Sequence, residues 1–220
     1  MDPLQLAALK TILSGPKPRV VHRQIERVAA ASISPSVPKI SGLLCVQIIF
    51  NDGGTATPGT PTGFTSFTNA AASATNPGVR GAYKFLNGSE ARAIASAAAS
   101  ATEMTAISYL IAGCCPVYLP QGSQQVESGV THALPSSTGT PGGSGRIWIG
   151  AGMIKGTQTM TQLGPLKPWT WDKLIQVQGT NYTFGIDTYD ELSTLTGSGH
   201  TFEVDVGGDA RIVSVGIRGG

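Results

Sequence analysis

The residues best able to do chemistry in this 220-residue chain are few and scattered. Asp187, Asp190 and Glu191, in the run DTYDE, form its densest acidic group. Carboxylates this close together are candidate calcium ligands, but a calcium ion takes about six to eight oxygens. One cluster supplies only part of that shell, so a bound ion would have to be shared with a neighbouring subunit; a solvated loop is the alternative reading. The histidines His22, His132 and His200 show no His-x-x-x-His spacing and no Cys-x-x-Cys occurs, so no dedicated zinc site is expected. Ser144 in PGGSGR and Ser198 in TGSGH sit among glycines, yet neither completes the Gly-x-Ser-x-Gly elbow of a hydrolase. Gly150-Ala151-Gly152 followed by Gly156 is one residue off a dinucleotide fingerprint and lies within or after a strand, not at a strand-to-helix turn. These groups do not add up to a catalytic centre, and the chain is not expected to be an enzyme.

Charge placement says more. Residues 1–39 hold Lys10, Lys17, Arg19, Arg23, Arg27 and Lys39 against Asp2 and Glu26, a local charge of +4. The rest of the chain carries nine basic and eleven acidic residues. A mildly basic arm over residues 1–38 thus precedes a nearly neutral domain over residues 39–220. Lys10, Lys17, Arg19, Arg23 and Arg27 are the candidate phosphate contacts, in binding that would be independent of nucleic-acid sequence and weakened by salt. A solvated extension is the plainer alternative. Trp148, Trp169 and Trp171 read as core or interface anchors rather than base-stacking platforms.

The elements that carry these residues read as strands. With 29 Gly, 14 Pro and 13% charged residues, the composition suits an all-β domain with many turns rather than a helical bundle. The 40% hydrophobic content is enough for one core. Cys114 and Cys115 are adjacent in an apolar strand pattern, and three cysteines make no disulfide framework. Buried free thiols in a reducing compartment are expected. The sequons at Asn87 and Asn181 are chance-level matches. MDPLQLAALKTIL makes a poor secretory signal. No apolar run approaches the ~20 residues needed to span a bilayer, so no membrane partner is expected.

In order, residues 3–13 can form a short helix ended by Ser14-Gly15-Pro16. Residues 15–38 read as an arm or linker without strand alternation. Ile40–Phe50 is a strand whose nearly continuous apolar character implies burial on both faces or against a neighbouring subunit. Residues 51–78 read as a long loop with a short strand at Gly63–Phe67, and Arg80–Leu86 as a strand. Asn87 with Glu90 forms a capping box for a small-residue helix, which a long strand follows from Met104, bent at Gly113 and Pro116. Residues 120–145 form a second large loop before Arg146–Ile154, where Ile147 and Ile149 oppose Trp148. Residues 157–163 form a turn of helix. Four strands close the chain, at Leu174–Gln178, Asn181–Asp187, His200–Val206 and Arg211–Arg218, the last two joined at Val206-Gly207-Gly208-Asp209 by what would suit a tight hairpin. The total is about eight strands with one or two short helices.

This order of parts resembles the single jelly-roll coat proteins of small icosahedral positive-strand RNA viruses, the tombus-like, sobemo-like and tymo-like types. The matching text is ARAIASAAASATEMTAISYLIAGCCPVYLP, then GRIWIGAGMI and TQTMTQL, with ARIVSVGIRGG as the last shell strand. The resemblance implies an eight-stranded jelly-roll sandwich over residues 39–220 and a partly helical arm facing inward. It further implies a capsid protein that self-assembles in many copies into a closed shell around the single-stranded RNA genome. Such a protein would be found in the virion and assembled in the host cytoplasm. The chain departs from the pattern in three ways: the arm is only modestly basic, the intersubunit calcium aspartates have no clear match, and a hairpin at Val206–Asp209 would put the last two strands in one sheet. The alternative reading, from another class, is a carbohydrate- or receptor-binding β-sandwich of the phage-tail or adhesin type.

Overall fold

The computed structural model describes residues 18–90, 101–114, 120–133, 146–165, 173–190, 200–204 and 207–219. Thirteen strands are defined among them: β1 (Arg19–Val28), β2 (Ser41–Asp52), β3 (Thr65–Ala70), β4 (Gly78–Asn87), β5 (Glu103–Ala112), β6 (Gln121–Glu127), β7 (Thr131–Ala133), β8 (Arg146–Lys155), β9 (Met160–Pro165), β10 (Lys173–Gln178), β11 (Asn181–Asp190), β12 (His200–Val204) and β13 (Ala210–Arg218). They form a five-stranded sheet in the order β1-β5-β2-β4-β3, a second in the order β10-β11-β8-β13-β6, and a three-stranded sheet, β7-β12-β9. All strand pairs in these sheets are antiparallel. The expectation of an all-β sandwich holds, but the strand count of eight does not. The first sheet takes every strand from residues 19–112, and the second takes five of the eight strands from residues 121–218, the other three forming the small sheet; jelly-roll winding would instead interleave the two halves of the chain.

One core joins the two large sheets. Leu44, Val46, Ile48 and Phe50 of β2 and Ile107, Tyr109 and Ile111 of β5 pack against Ile147, Ile149 and Met153 of β8 and Val213, Val215 and Ile217 of β13. These residues alternate along their strands, as the two-residue period of a pleated strand requires. The opposite faces are not solvated. On the first sheet, Leu43, Cys45, Leu110 and Ala112 are covered by Val37, and Ile49, Met104 and Ala106 by Ile33 and Ala101. On the second, Trp148, Ile154, Phe184, Ile186 and Ile212 are buried as well. Burial on both faces explains why β2 and β5 read as continuous apolar runs.

Four segments differ from expectation, each for a local reason. Residues 19–28 form β1, paired with β5 from Arg19↔Ala112 to Val28↔Met104, so the expected linker is in part an edge strand. Charged residues on an edge strand deter pairing with other chains, and they also hide the strand's apolar alternation. The expected loop at 120–145 contains β6 and β7, and β6 is another polar edge strand. Residues 160–165 form β9 where a helical turn was expected. The tight hairpin at 206–209 is absent as such: β12 belongs to the three-stranded sheet and β13 to the second five-stranded one.

There is no helix among the described residues. The small-residue helix expected after Asn87 falls largely on residues 91–100, outside the described residues, as does the expected helix at 3–13. Its cap is described. The Glu90 carboxylate accepts the backbone N–H groups of Asn87 (2.8 Å) and Gly88 (2.9 Å), and the Asn87 side chain accepts the N–H of Ser89 at 3.0 Å.

The glycine content has a packing role. The Phe184 ring lies over Gly152, directly opposite it across β11 and β8, and Trp148 lies over Gly216 across β8 and β13. Phe67 rests on Gly81 of its own sheet and on Gly122 of the other, tying the β3 and β6 edges together. A side chain at any of these glycines would occupy ring space. Gly150-Ala151-Gly152 is therefore the interior of β8, not a nucleotide-binding turn.

Cys45 is a free, buried thiol on β2, and burial together with the nearby Glu90 charge pushes its pKa up to about 12. In the native protein Cys45 is expected to stay unmodified by a thiol-specific disulfide reagent at mildly alkaline pH. The partly buried Cys114 should react in the native state, and Cys45 only after denaturation. Mass spectrometry of the labelled peptides checks this; rapid native labelling of Cys45 would contradict its placement.

Candidate functional site

Among the described residues, two ion pairs lie together at one end of the sandwich, where β1, β2 and β5 of the first sheet meet β8 and the β10–β11 turn of the second. Asp52 and Glu103 are neighbours in the β2–β5 register. Lys155 Nζ lies 2.9 Å from Asp52 Oδ1, and Asn181 Nδ2 donates to Asp52 Oδ2 at 3.0 Å. Lys155 also donates to the Ala74 carbonyl at 2.9 Å, anchoring the long loop before β4. Glu103 Oε2 accepts from the Arg27 guanidinium and from the Thr180 N–H, both at 2.9 Å. The guanidinium lies against Gly179, where a β-carbon would collide with it. Asp52 is thus held by two donors of the second sheet, and Glu103 by one donor of its own sheet and one of the β10–β11 turn.

The electrostatics describe a clamp, not an acid–base pair. Burial alone would raise the Asp52 pKa, but hydrogen bonds from Asn181, Lys155 and the Gly53 amide, with the Lys155 charge, hold it below the usual carboxylate value. The hydrogen bond to Glu103 raises the Arg27 pKa further against a smaller desolvation effect. The depressed Asp52 pKa is the opposite of what a general acid working near neutrality needs.

A pH dependence follows. Because the Asp52 pKa is depressed on folding, its stabilising contribution is complete above the unfolded value of about 3.9 and is lost as pH falls through the folded value. Glu90 acts with the same sign, since burial opposes ionisation but the backbone N–H groups of Asn87, Glu90 and Gly88 and the Lys84 charge outweigh it. Stability should therefore fall below about pH 4, and Asp52→Asn should flatten part of that acid limb. Thermal midpoints measured across the acid range check this. An unchanged slope in Asp52→Asn would remove the residue from the account.

The structure separates the residues singled out from sequence. Arg27, one of the candidate phosphate contacts, is paired with Glu103, and its side chain is 27% exposed. Arg19 and Arg23 lie on β1, half-buried and engaged in interactions of their own. Lys10 and Lys17 lie outside the described residues. Asp187 and Asp190 both fall on β11, three positions apart. Glu191 lies outside the described residues. Among the described residues no group of three or more His, Cys, Asp or Glu side chains could hold a metal ion. His22 is exposed on β1, whereas His132 is fully buried and its pKa is lowered by desolvation. His200 begins β12. Ser144, Ser198, Cys115, Trp169 and Trp171 lie outside the described residues, and Trp148 is buried. Asn181, the second sequon, is buried and bonded to Asp52.

Sequence reasoning missed the clamp and two arginines that fasten the loop between β2 and β4. Arg80 donates to the Pro58 carbonyl at 2.8 Å and to Ser66 Oγ at 3.0 Å. Arg211 donates to the carbonyls of Pro77 (3.1 Å) and Ala71 (3.3 Å) and to Gln124 at 2.6 Å. The available signal was a charge set among the apolar residues of a strand, at Arg80, Glu103 and Arg211, which calls for a partner. Among the described residues no helix is long and apolar enough to cross a membrane. Comparison with protein-family models, curated proteins and solved structures returned no match.

Proposed function

We propose that the chain is a structural shell subunit that self-assembles in many copies into a closed icosahedral particle around single-stranded RNA. The observation that carries this reading is the double-faced burial of a two-sheet sandwich in which Asp52 and Glu103 of the first sheet accept hydrogen bonds from the second sheet and its β10–β11 turn. Such a body is a rigid building block, and its buried charges serve its own cohesion. The capped turn from β4 into the chain before β5 agrees with the layout that the viral resemblance implies. The separation of the two chain halves between the large sheets departs from a jelly roll, so the reading rests on the sandwich and not on jelly-roll winding. Closed symmetry would also shield the exposed edges of β1, β3, β6 and β10.

RNA contact in this reading falls to Lys10, Lys17, Arg19 and Arg23. It is electrostatic, independent of sequence and salt-sensitive. Calcium is not needed for it. Size-exclusion chromatography of the full chain, with the nucleic-acid to protein absorbance ratio across the peak, tests the proposal. A carbohydrate- or receptor-binding sandwich would elute instead as a monomer or trimer without RNA.

A further inference from the structure

A pocket of about 350 Å³ opens on the exterior of the first sheet, between β1 and residues 36–40. This volume lies within the range of small-molecule sites. Val37, Leu43 and Leu110 are buried apolar walls, and His22, Gln24, Ser36 and Ser108 are the polar lining. His22 and Gln24 stand two positions apart on β1 and so share a face; across the register they pair with Leu110 and Ser108 of β5. Three polar side chains, His22, Gln24 and Ser108, therefore lie side by side along an otherwise apolar pocket.

Each of the three has a donor to give. Ser108 Oγ accepts a hydrogen bond from Gln47 Nε2 at 3.3 Å, which leaves the Ser108 hydroxyl proton for an acceptor. The His22 ring and the Gln24 amide have no other bond among the described residues, so an imidazole N–H and an amide NH2 are available beside it. No Asp or Glu lines the pocket to receive these protons. The nearest acid along β1, Glu26, already accepts the Ser36 N–H at 2.9 Å. A carboxylate accepts several hydrogen bonds at once and donates none, and bonds to a charged acceptor are stronger than bonds to a neutral one. A hydroxyl offers a neutral oxygen only, and an ammonium brings further donors to a lining without a countercharge.

We infer that this pocket binds a small aliphatic carboxylate, its chain against Val37, Leu43 and Leu110 and its head accepting from His22, Gln24 and Ser108. The site is independent of whether the chain builds a shell. Calorimetric titration of the full chain with octanoate, 1-octanol and octylamine tests it, because the three probes share a chain and differ in the head. Saturable one-to-one binding of octanoate is expected, with 1-octanol and octylamine each about tenfold weaker or worse. His22→Ala and Gln24→Leu should each weaken octanoate about fivefold and leave 1-octanol within about twofold of its wild-type value. Ser36→Trp should fill the pocket and abolish octanoate binding, with circular dichroism to confirm folding; Gln24→Trp on the edge strand replaces it if the first variant does not fold. Failure to saturate, 1-octanol or octylamine binding as tightly as octanoate, or octanoate binding that survives the filling variant would each overturn the assignment.

Discussion

A chain lacking residues 1–38 is expected not to fold, whereas one lacking residues 1–17 folds normally. The longer deletion removes β1, which pairs with β5 along its whole length, and with it Arg27, the cation held by Glu103. It also removes Ile33 and Val37, which cover Leu43, Cys45, Ile49 and Leu110 on the exterior of the first sheet. Uncovering several large apolar side chains at about 1.5–3 kcal/mol each exceeds the usual stability margin of a domain of this size. The Glu103 carboxylate, 1% exposed, would keep only the Thr180 amide as a partner. Circular dichroism and solubility of the two truncations check this. A soluble, cooperatively melting product of the longer deletion would show that residues 19–38 are a detachable arm after all. The shorter deletion separates function from folding, because it removes Lys10 and Lys17 and leaves β1 in place; it should lower the RNA content of particles or alter their size.

The second large effect is expected at Tyr109. Its side chain is fully buried in the core between the sheets, and its hydroxyl lies 3.3 Å from the carbonyl oxygens of both Gly150 and Ile186 in the opposite sheet. The ring reaches them because Gly185 has no side chain to block it. Tyr109→Ala removes the ring and leaves a cavity where two sheets meet, a change expected to cost about 3–5 kcal/mol. Tyr109→Phe keeps the packing and loses only the hydroxyl's bond, at about 1 kcal/mol. Urea unfolding of both variants measures the difference. Similar losses in the two would mean that the hydroxyl, not the ring, joins the sheets there.

These two cases also show what the sequence made legible. Strands β2, β4, β5, β8, β11 and β13 could be read because apolar runs or strict alternation follow from their burial between layers. Strand β1 could not, because Arg19, His22, Arg23, Glu26 and Arg27 give it the composition of a solvated linker. The same holds for β6, whose QGSQQVE carries one large apolar residue, Val126, and leaves that one 47% exposed. Edge strands lose the hydrophobic signal that marks central ones. Strand β9 read as a helical turn because TQTMTQL favours neither period.

The candidate site was less legible than the fold. Arg27 and Glu103 are 76 residues apart, and Asp52 and Asn181 are 129 apart. No local spacing joins such residues; the sheet register does. The acidic run at Asp187 stood out because its residues lie close together in sequence. Pairing in space and clustering in sequence pointed to different residues.

Sedimentation velocity of the purified full chain, before and after nuclease treatment, decides whether this sandwich is a shell subunit. Particles of megadalton mass are expected, with an absorbance ratio characteristic of enclosed nucleic acid and RNA that survives the nuclease. A stable monomer or small oligomer free of RNA, under conditions where the fold is intact, would contradict it.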